Sequence, residues 1–173
     1  MLATALVVAQ QTAGGLKEER AGKYLIFRLG SEEFGVRVIK VREIMGLQEV
    51  TPVPHTPVFV KGVINLRGKV IPVIDLRLKF GLPAIDYTQR TCIIVVQVGS
   101  GAALLQMGIV VDAVSEVITL TSADIEDTPD FGENVATDYI LGMAKIKGKV
   151  KILLDIDEVL SSQEIRGLDS VIQ

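Results

Sequence analysis

The chain has 173 residues, with 18 basic side chains against 21 acidic ones, a net charge of -3, five phenylalanines, three tyrosines and no tryptophan. Without a basic cluster or interleaved aromatics it has no footprint for nucleic acid. One cysteine excludes an internal disulfide, and one cysteine with one histidine cannot build a structural zinc site.

Met1 to Ala9 is apolar but lacks the Lys or Arg that precedes a secretion signal. With Gly14, Gly15 and the charged Lys17-Glu18-Glu19-Arg20 behind it, the stretch 1–22 reads as a disordered N-terminal tail. The fold is expected from Lys23 to residue 163, with 164–173 as a C-terminal tail. Strands are predicted at 24–29, 34–41, 63–66, 69–75, 91–98, 105–112, 114–119, 140–146 and 149–154, short runs rich in the chain's 23 valines and 18 isoleucines. Helix is scarce: one turn over Pro57 to Lys61, another after Asp75, and a longer helix from Asp155 to about Gln163. That last one carries Asp157 and Glu158 in its first turn, where negative charge suits the helix dipole. Mean hydropathy is +0.42, yet no apolar run approaches the ~20 residues of a membrane-spanning helix. Direct membrane insertion is not expected, and the composition reads as that of a reduced, intracellular, soluble protein.

The chain also resembles itself. Tyr24-Leu25-Ile26-Phe27-Arg28-Leu29-Gly30 matches Ile93-Ile94-Val95-Val96-Gln97-Val98-Gly99. Gly35-Val36-x-Val38-x-x-Val41-x-Glu43-Ile44 matches Gly108-Ile109-x-Val111-x-x-Val114-x-Glu116-Val117. Gly68-Lys69-Val70 followed by Asp75-Leu76 matches Gly148-Lys149-Val150 followed by Asp155-Ile156. The matches keep their order, which gives a first repeat over about 23–85 and a second over about 90–163. Each copy is a mainly β unit of five strands, a size that suits a curled, SH3-like barrel because curling removes exposed strand edges. A single copy has a marginal core, so the two are expected to pack over a third apolar layer. The repeat leaves open which strand closes which barrel, and neighbours can exchange strands.

Candidate chemistry is sparse. His55, the single histidine, lies in Pro52-Val53-Pro54-His55-Thr56-Pro57, a stiff extended loop without a nucleophile motif. Cys92 opens an aliphatic strand and reads as a small buried hydrophobe. Asp75 and Asp155, one per repeat, invite comparison with an aspartic-protease dyad, but neither is followed by the small hydroxyl residue and glycine of such a loop. Each follows a strand and precedes a helical turn, where a helix N-cap belongs. What remains is surface recognition. Arg67 projects from the tight turn Asn65-Leu66-Arg67-Gly68-Lys69, Gly62 supplies backbone freedom or close approach just before it, and Val41 and Glu43, two apart, are expected on one face of a strand. Glu116 holds the position of Glu43 in the second copy.

These residues resemble the CheW family of bacterial chemotaxis coupling proteins. The resemblance runs through Phe34-Gly35-Val36, Val41-Arg42-Glu43-Ile44, the block from Pro54 through Val63-Ile64-Asn65-Leu66-Arg67-Gly68 to Val70-Ile71-Pro72-Val73-Ile74-Asp75-Leu76-Arg77, and Gly108 to Val117. It implies two five-stranded SH3-like barrels, no catalysis and no cofactor. It implies a scaffold between methyl-accepting chemoreceptor tips and the histidine kinase CheA, whose regulatory domain shares the fold, in the cytoplasm and recruited to membrane-associated receptor arrays. By position it places Val41, Glu43, Gly62 and Arg67 at receptor or kinase contacts, with Val110, Val114 and Val117 as secondary candidates for the kinase interface. The same fold serves adaptors of pilus-motility and other kinase arrays, which the sequence does not separate from the first reading. A small-ligand regulator or hydrolase would need a pocket of converging polar groups, and no such cluster stands out.

Overall fold

The computed structural model describes residues 20–160 except 100, 101, 103 and 134. The aliphatic runs form strands β1 (Gly22–Leu29), β2 (Glu32–Arg37), β3 (Val41–Gly46), β4 (Val60–Leu66), β5 (Lys69–Asp75), β6 (Cys92–Val98), β7 (Leu105–Val111), β8 (Ala113–Leu120), β9 (Ile125–Glu126), β10 (Ile140–Ile146) and β11 (Lys149–Leu154). Single helical turns α1 (Leu76–Lys79) and α2 (Ile156–Val159) follow β5 and β11. Where one strand was expected over 34–41, the chain instead leaves β2 at Arg37, makes a 3-10 turn over Val38–Lys40 and starts β3. Pro57 to Lys61 is not helical: Val60 N–H donates to the Pro57 carbonyl at 3.0 Å, and β4 begins there, with Phe59 and Val60 buried. The helix expected from Asp155 is one turn over Ile156–Val159, and its predicted continuation beyond 160 lies outside the described residues.

The strands form two sheets, ordered β8-β1-β2-β11-β10-β9 and β3-β6-β7-β5-β4. Each barrel therefore takes an antiparallel pair from one repeat and the rest from the other: β1–β2 with four strands of the second repeat, β6–β7 with three of the first. The exchange is symmetric to the residue: the parallel pairing Leu153↔Gly35 has its counterpart in Val73↔Gly108. The bulge between Ile26 and Phe27, opposite Ser115, likewise answers the one between Val41 and Glu43.

This arrangement accounts for the uninterrupted aliphatic runs. In β1, Tyr24 and Ile26 face the interior of one barrel, while Leu25, Phe27 and Leu29 face a central layer between the barrels. In β6, Ile93 and Val95 fill the other barrel, and Ile94, Val96 and Val98 face the same central layer. Both faces of these strands are buried, as in sheets covered on two sides. Phe27, Phe34, Phe80 and Tyr139 continue the layer as a row of rings with centroids 5.7 to 5.9 Å apart.

Two ion pairs tie the barrels at equivalent places with the charges reversed. Asp112, at the β7–β8 crossover, accepts from Arg77 Nη1 of α1 at 2.6 Å and from the Gly30 amide at 2.7 Å. Asp157 of α2 accepts from Lys40 Nζ at 2.8 Å and from the Gly99 amide at 2.9 Å. Asp75 and Asp155 are the N-caps that the sequence predicts, accepting from Leu78 N–H at 3.3 Å and Glu158 N–H at 3.4 Å. Asp75 is also buried and accepts from the Tyr87 hydroxyl at 2.9 Å.

Replacing Asp75 by alanine removes both bonds and is expected to cost about 2 kcal/mol in chemical denaturation, a cap plus a charge-assisted hydrogen bond. Tyr87→Phe should lose only the second. Burial, and then the Asp75 carboxylate, push the Tyr87 phenol well above its ordinary range. The fold thus favours the neutral phenol: its contribution is complete below the unfolded value of about 10 and declines as pH rises above it. Tyr87→Phe should flatten that alkaline decline, and an unchanged slope would contradict the assignment.

Candidate partner-binding surface

In the barrel ordered β3-β6-β7-β5-β4, strands β3 and β4 are the two edges, a position that invites unwanted pairing unless it is closed or charged. Two contacts close it. The chain beyond β3 returns so that Thr51 and Val63 exchange backbone hydrogen bonds, both 2.9 Å. Arg67 Nη2 reaches Glu43 Oε1 across the seam at 2.9 Å. Arg67 stands in the left-handed region (φ 51) beside Gly68 (φ 86), as a two-residue hairpin turn requires. The Asn65 side chain holds the turn by accepting from the Gly68 amide at 2.8 Å. Arg67 is 77% exposed and Glu43 26%; the pair presents its guanidinium outward.

The bulge separates Val41 from Glu43. Val41 pairs with Val96 and packs on the central layer, whereas Glu43 pairs with Val95, a residue of the barrel interior. Because Arg42 is the extra residue, the two side chains fall on opposite faces, contrary to the simple two-residue alternation. Val41 thus sits behind the seam and Glu43 on it.

Gly62 has a packing reason of its own. It lies at a β4 bulge with φ +140, and a Cβ there would fall inside the Thr51 carbonyl, 2.6 Å from its carbon and 2.9 Å from Pro52 Cα. The glycine lets the Thr51–Val63 bridge form.

The secondary candidates separate clearly. Val110 is 3% exposed inside a barrel core, so the expectation of a contact there is corrected: it offers no surface. Val114 is half-buried against the central layer, and Val117 is 55% exposed. Sequence reading missed Ile44, Val70 and Val150, all close to half exposed. The repeat carries the signal that finds them: Ile44 is the counterpart of Val117, and Val70 of Val150, so each barrel shows the same aliphatic pair. The charges do not repeat. Glu116, counterpart of Glu43, lies 4.0 Å from Lys151 rather than on the hairpin, and Lys151 is buried and bonded to Glu33 at 2.9 Å. That bond, opposed in part by burial, holds the Glu33 carboxyl below its ordinary range.

The profile of the CheW-like domain matches residues 23–164, almost all of the described fold. The chain belongs to the CheW family. It is 41% identical to the chemotaxis protein CheW of Klebsiella aerogenes over 170 residues, covering 98% of this chain and 96% of that one. To the chemotaxis protein CheW of Rhizobium meliloti it is 42% identical over 144 residues, 83% of this chain and 90% of the relative. The crystal structure of the scaffolding protein TtCheW from Thermoanaerobacter tengcongensis superposes with a TM-score of 0.73 at 33% identity, covering 83% of this chain and 95% of that one. The two exchanged barrels described above are thus the CheW fold. Among the described residues no helix is long and apolar enough to cross a membrane.

Proposed function

We propose that this chain is a non-catalytic adaptor that couples methyl-accepting chemoreceptors to the histidine kinase CheA. Its receptor-side contact is the seam that carries Glu43 and Arg67, and its kinase-side contact is the regulatory domain, barrel against barrel. It acts in the cytoplasm, at membrane-associated receptor arrays. Membership of the CheW family supports the adaptor role. The observation that carries the choice of surface is the exposed Arg67, held outward on a strained turn by a single ion pair. Ile44, Val70, Val117 and Val150 supply apolar contact area, while Arg67 and Glu43 fix register and partner choice. Val41 and Gly62 act from behind, by seating β3 and β4.

The test is binding of a chemoreceptor cytoplasmic fragment and of the CheA regulatory domain, measured separately. Arg67→Ala is expected to weaken receptor binding tenfold or more. Stability should change by less than about 1 kcal/mol, the usual worth of an exposed pair. Undiminished receptor binding would make Arg67 no part of that contact, and a large loss of stability would make it structural.

A further inference from the structure

A second polar corner lies where the barrels meet, away from the Glu43–Arg67 seam. A pocket of about 430 Å³ is lined by Arg28 of β1, Arg90 of the loop before β6, Cys92, and Ala113, Val114 and Ser115 of the bulged start of β8. Neither guanidinium has an ion-pair partner among the described residues. The nearby acids have their closest bonds elsewhere, although the Glu33 carboxylate also feels the Arg28 charge. Glu33, which faces Arg28 across the β1–β2 ladder, is bonded to Lys151. Asp112, next to Ala113, is held by Arg77 and the Gly30 amide. Glu116, next to Ser115, lies by Lys151.

Both side chains are exposed, so water screens their charges in the free protein, and an oxyanion seated in the pocket has two cationic side chains on its lining. The Cys92 thiol adds no competing charge, because burial pushes its ionisation up from the ordinary range. The repeat does not impose the arrangement: Gln97 stands at the position equivalent to Arg28. The depression is open to solvent and larger than a bare ion needs, so the organic body that carries the charge can extend outward from it.

We propose that this pocket binds an oxyanion, the carboxylate or phosphate group of a small organic acid, gripped by Arg28 and Arg90 with the Ser115 hydroxyl as a further donor. The site is independent of the adaptor reading, and its test uses no partner protein. The full chain is titrated with succinate and, separately, with inorganic phosphate at constant ionic strength, while the arginine Nε–H and backbone amide resonances are followed. Saturable shifts confined to Arg28, Arg90 and residues 113–115 are expected from at least one of the two, and whichever saturates identifies the anion. Arg90→Gln, in an exposed loop and expected to leave the unfolding midpoint unchanged, should weaken that binding at least tenfold. Shifts that never saturate, or that saturate equally in Arg90→Gln, would overturn the proposal.

Discussion

Gly62→Ala is expected to lose about 3 kcal/mol of stability, a drop of roughly 10 °C in Tm for a chain of this size. Two costs combine. The left-handed backbone at φ +140 is strained for any residue with a Cβ, and that Cβ would meet the Thr51 carbonyl and Pro52 Cα. The chain cannot relieve the clash without opening the Thr51–Val63 bridge and, with it, the barrel seam. Gly68 provides the control. It too has positive φ (+86), but nothing lies within 4 Å of a Cβ placed there, so Gly68→Ala should lose only about 1 kcal/mol. The difference between the two, read from urea denaturation, isolates the steric part. Equal losses would show that the contact with residues 51–52 carries no weight. Any weakening of partner binding in Gly62→Ala then reflects a disturbed seam rather than a lost contact.

Arg77→Ala is expected to cost a comparable amount, again about 3 kcal/mol. The Arg77 and Asp112 side chains are 11% and 20% exposed, and the pair joins α1 of one barrel to the β1–β2 turn of the other through Gly30. Removal of the guanidinium leaves the Asp112 carboxylate largely out of water with a single amide donor. It also frees the Pro83 carbonyl, which accepts from Arg77 Nε at 3.0 Å. The reversed pair Lys40–Asp157 is more exposed, at 28% and 37%, so Lys40→Ala should cost about 1 kcal/mol or less. If the two variants unfold at the same denaturant concentration, burial does not set the strength of these clamps.

The strands were legible because their aliphatic runs are bounded by glycine, proline and aspartate, and because both faces of β1 and β6 are covered. The Val38–Lys40 turn and the Arg42 bulge hid the start of β3. Each breaks the period of two on which a strand is recognised, and the bulge also reversed the facing of Val41 and Glu43. The turn at Pro57 reads as helix in the sequence, although Phe59 and Val60 already lead into β4. The repeat disclosed equivalent strands but not their partners. The parallel pairs β2–β11 and β5–β7 join segments far apart in the chain, and only the closed structure fixes them. The same limit applies to the candidate site. Leu66-Arg67-Gly68-Lys69 announces a hairpin, yet the Glu43–Arg67 bond depends on β3 and β4 being opposite edges of one sheet. Asp75 was legible as a cap from its place between strand and turn, whereas its bond to Tyr87 depends on how the loop after α1 folds back.

The most direct measurement of the adaptor role is bridging itself. A chemoreceptor cytoplasmic fragment is immobilised, CheA is added, and the kinase retained is measured with and without this chain. The account predicts that CheA is held at a level that rises with the concentration of this chain, then falls when excess chain occupies receptor and kinase separately, and that Arg67→Ala shifts the curve to higher concentration. Kinase retention that does not respond to the folded chain would contradict it.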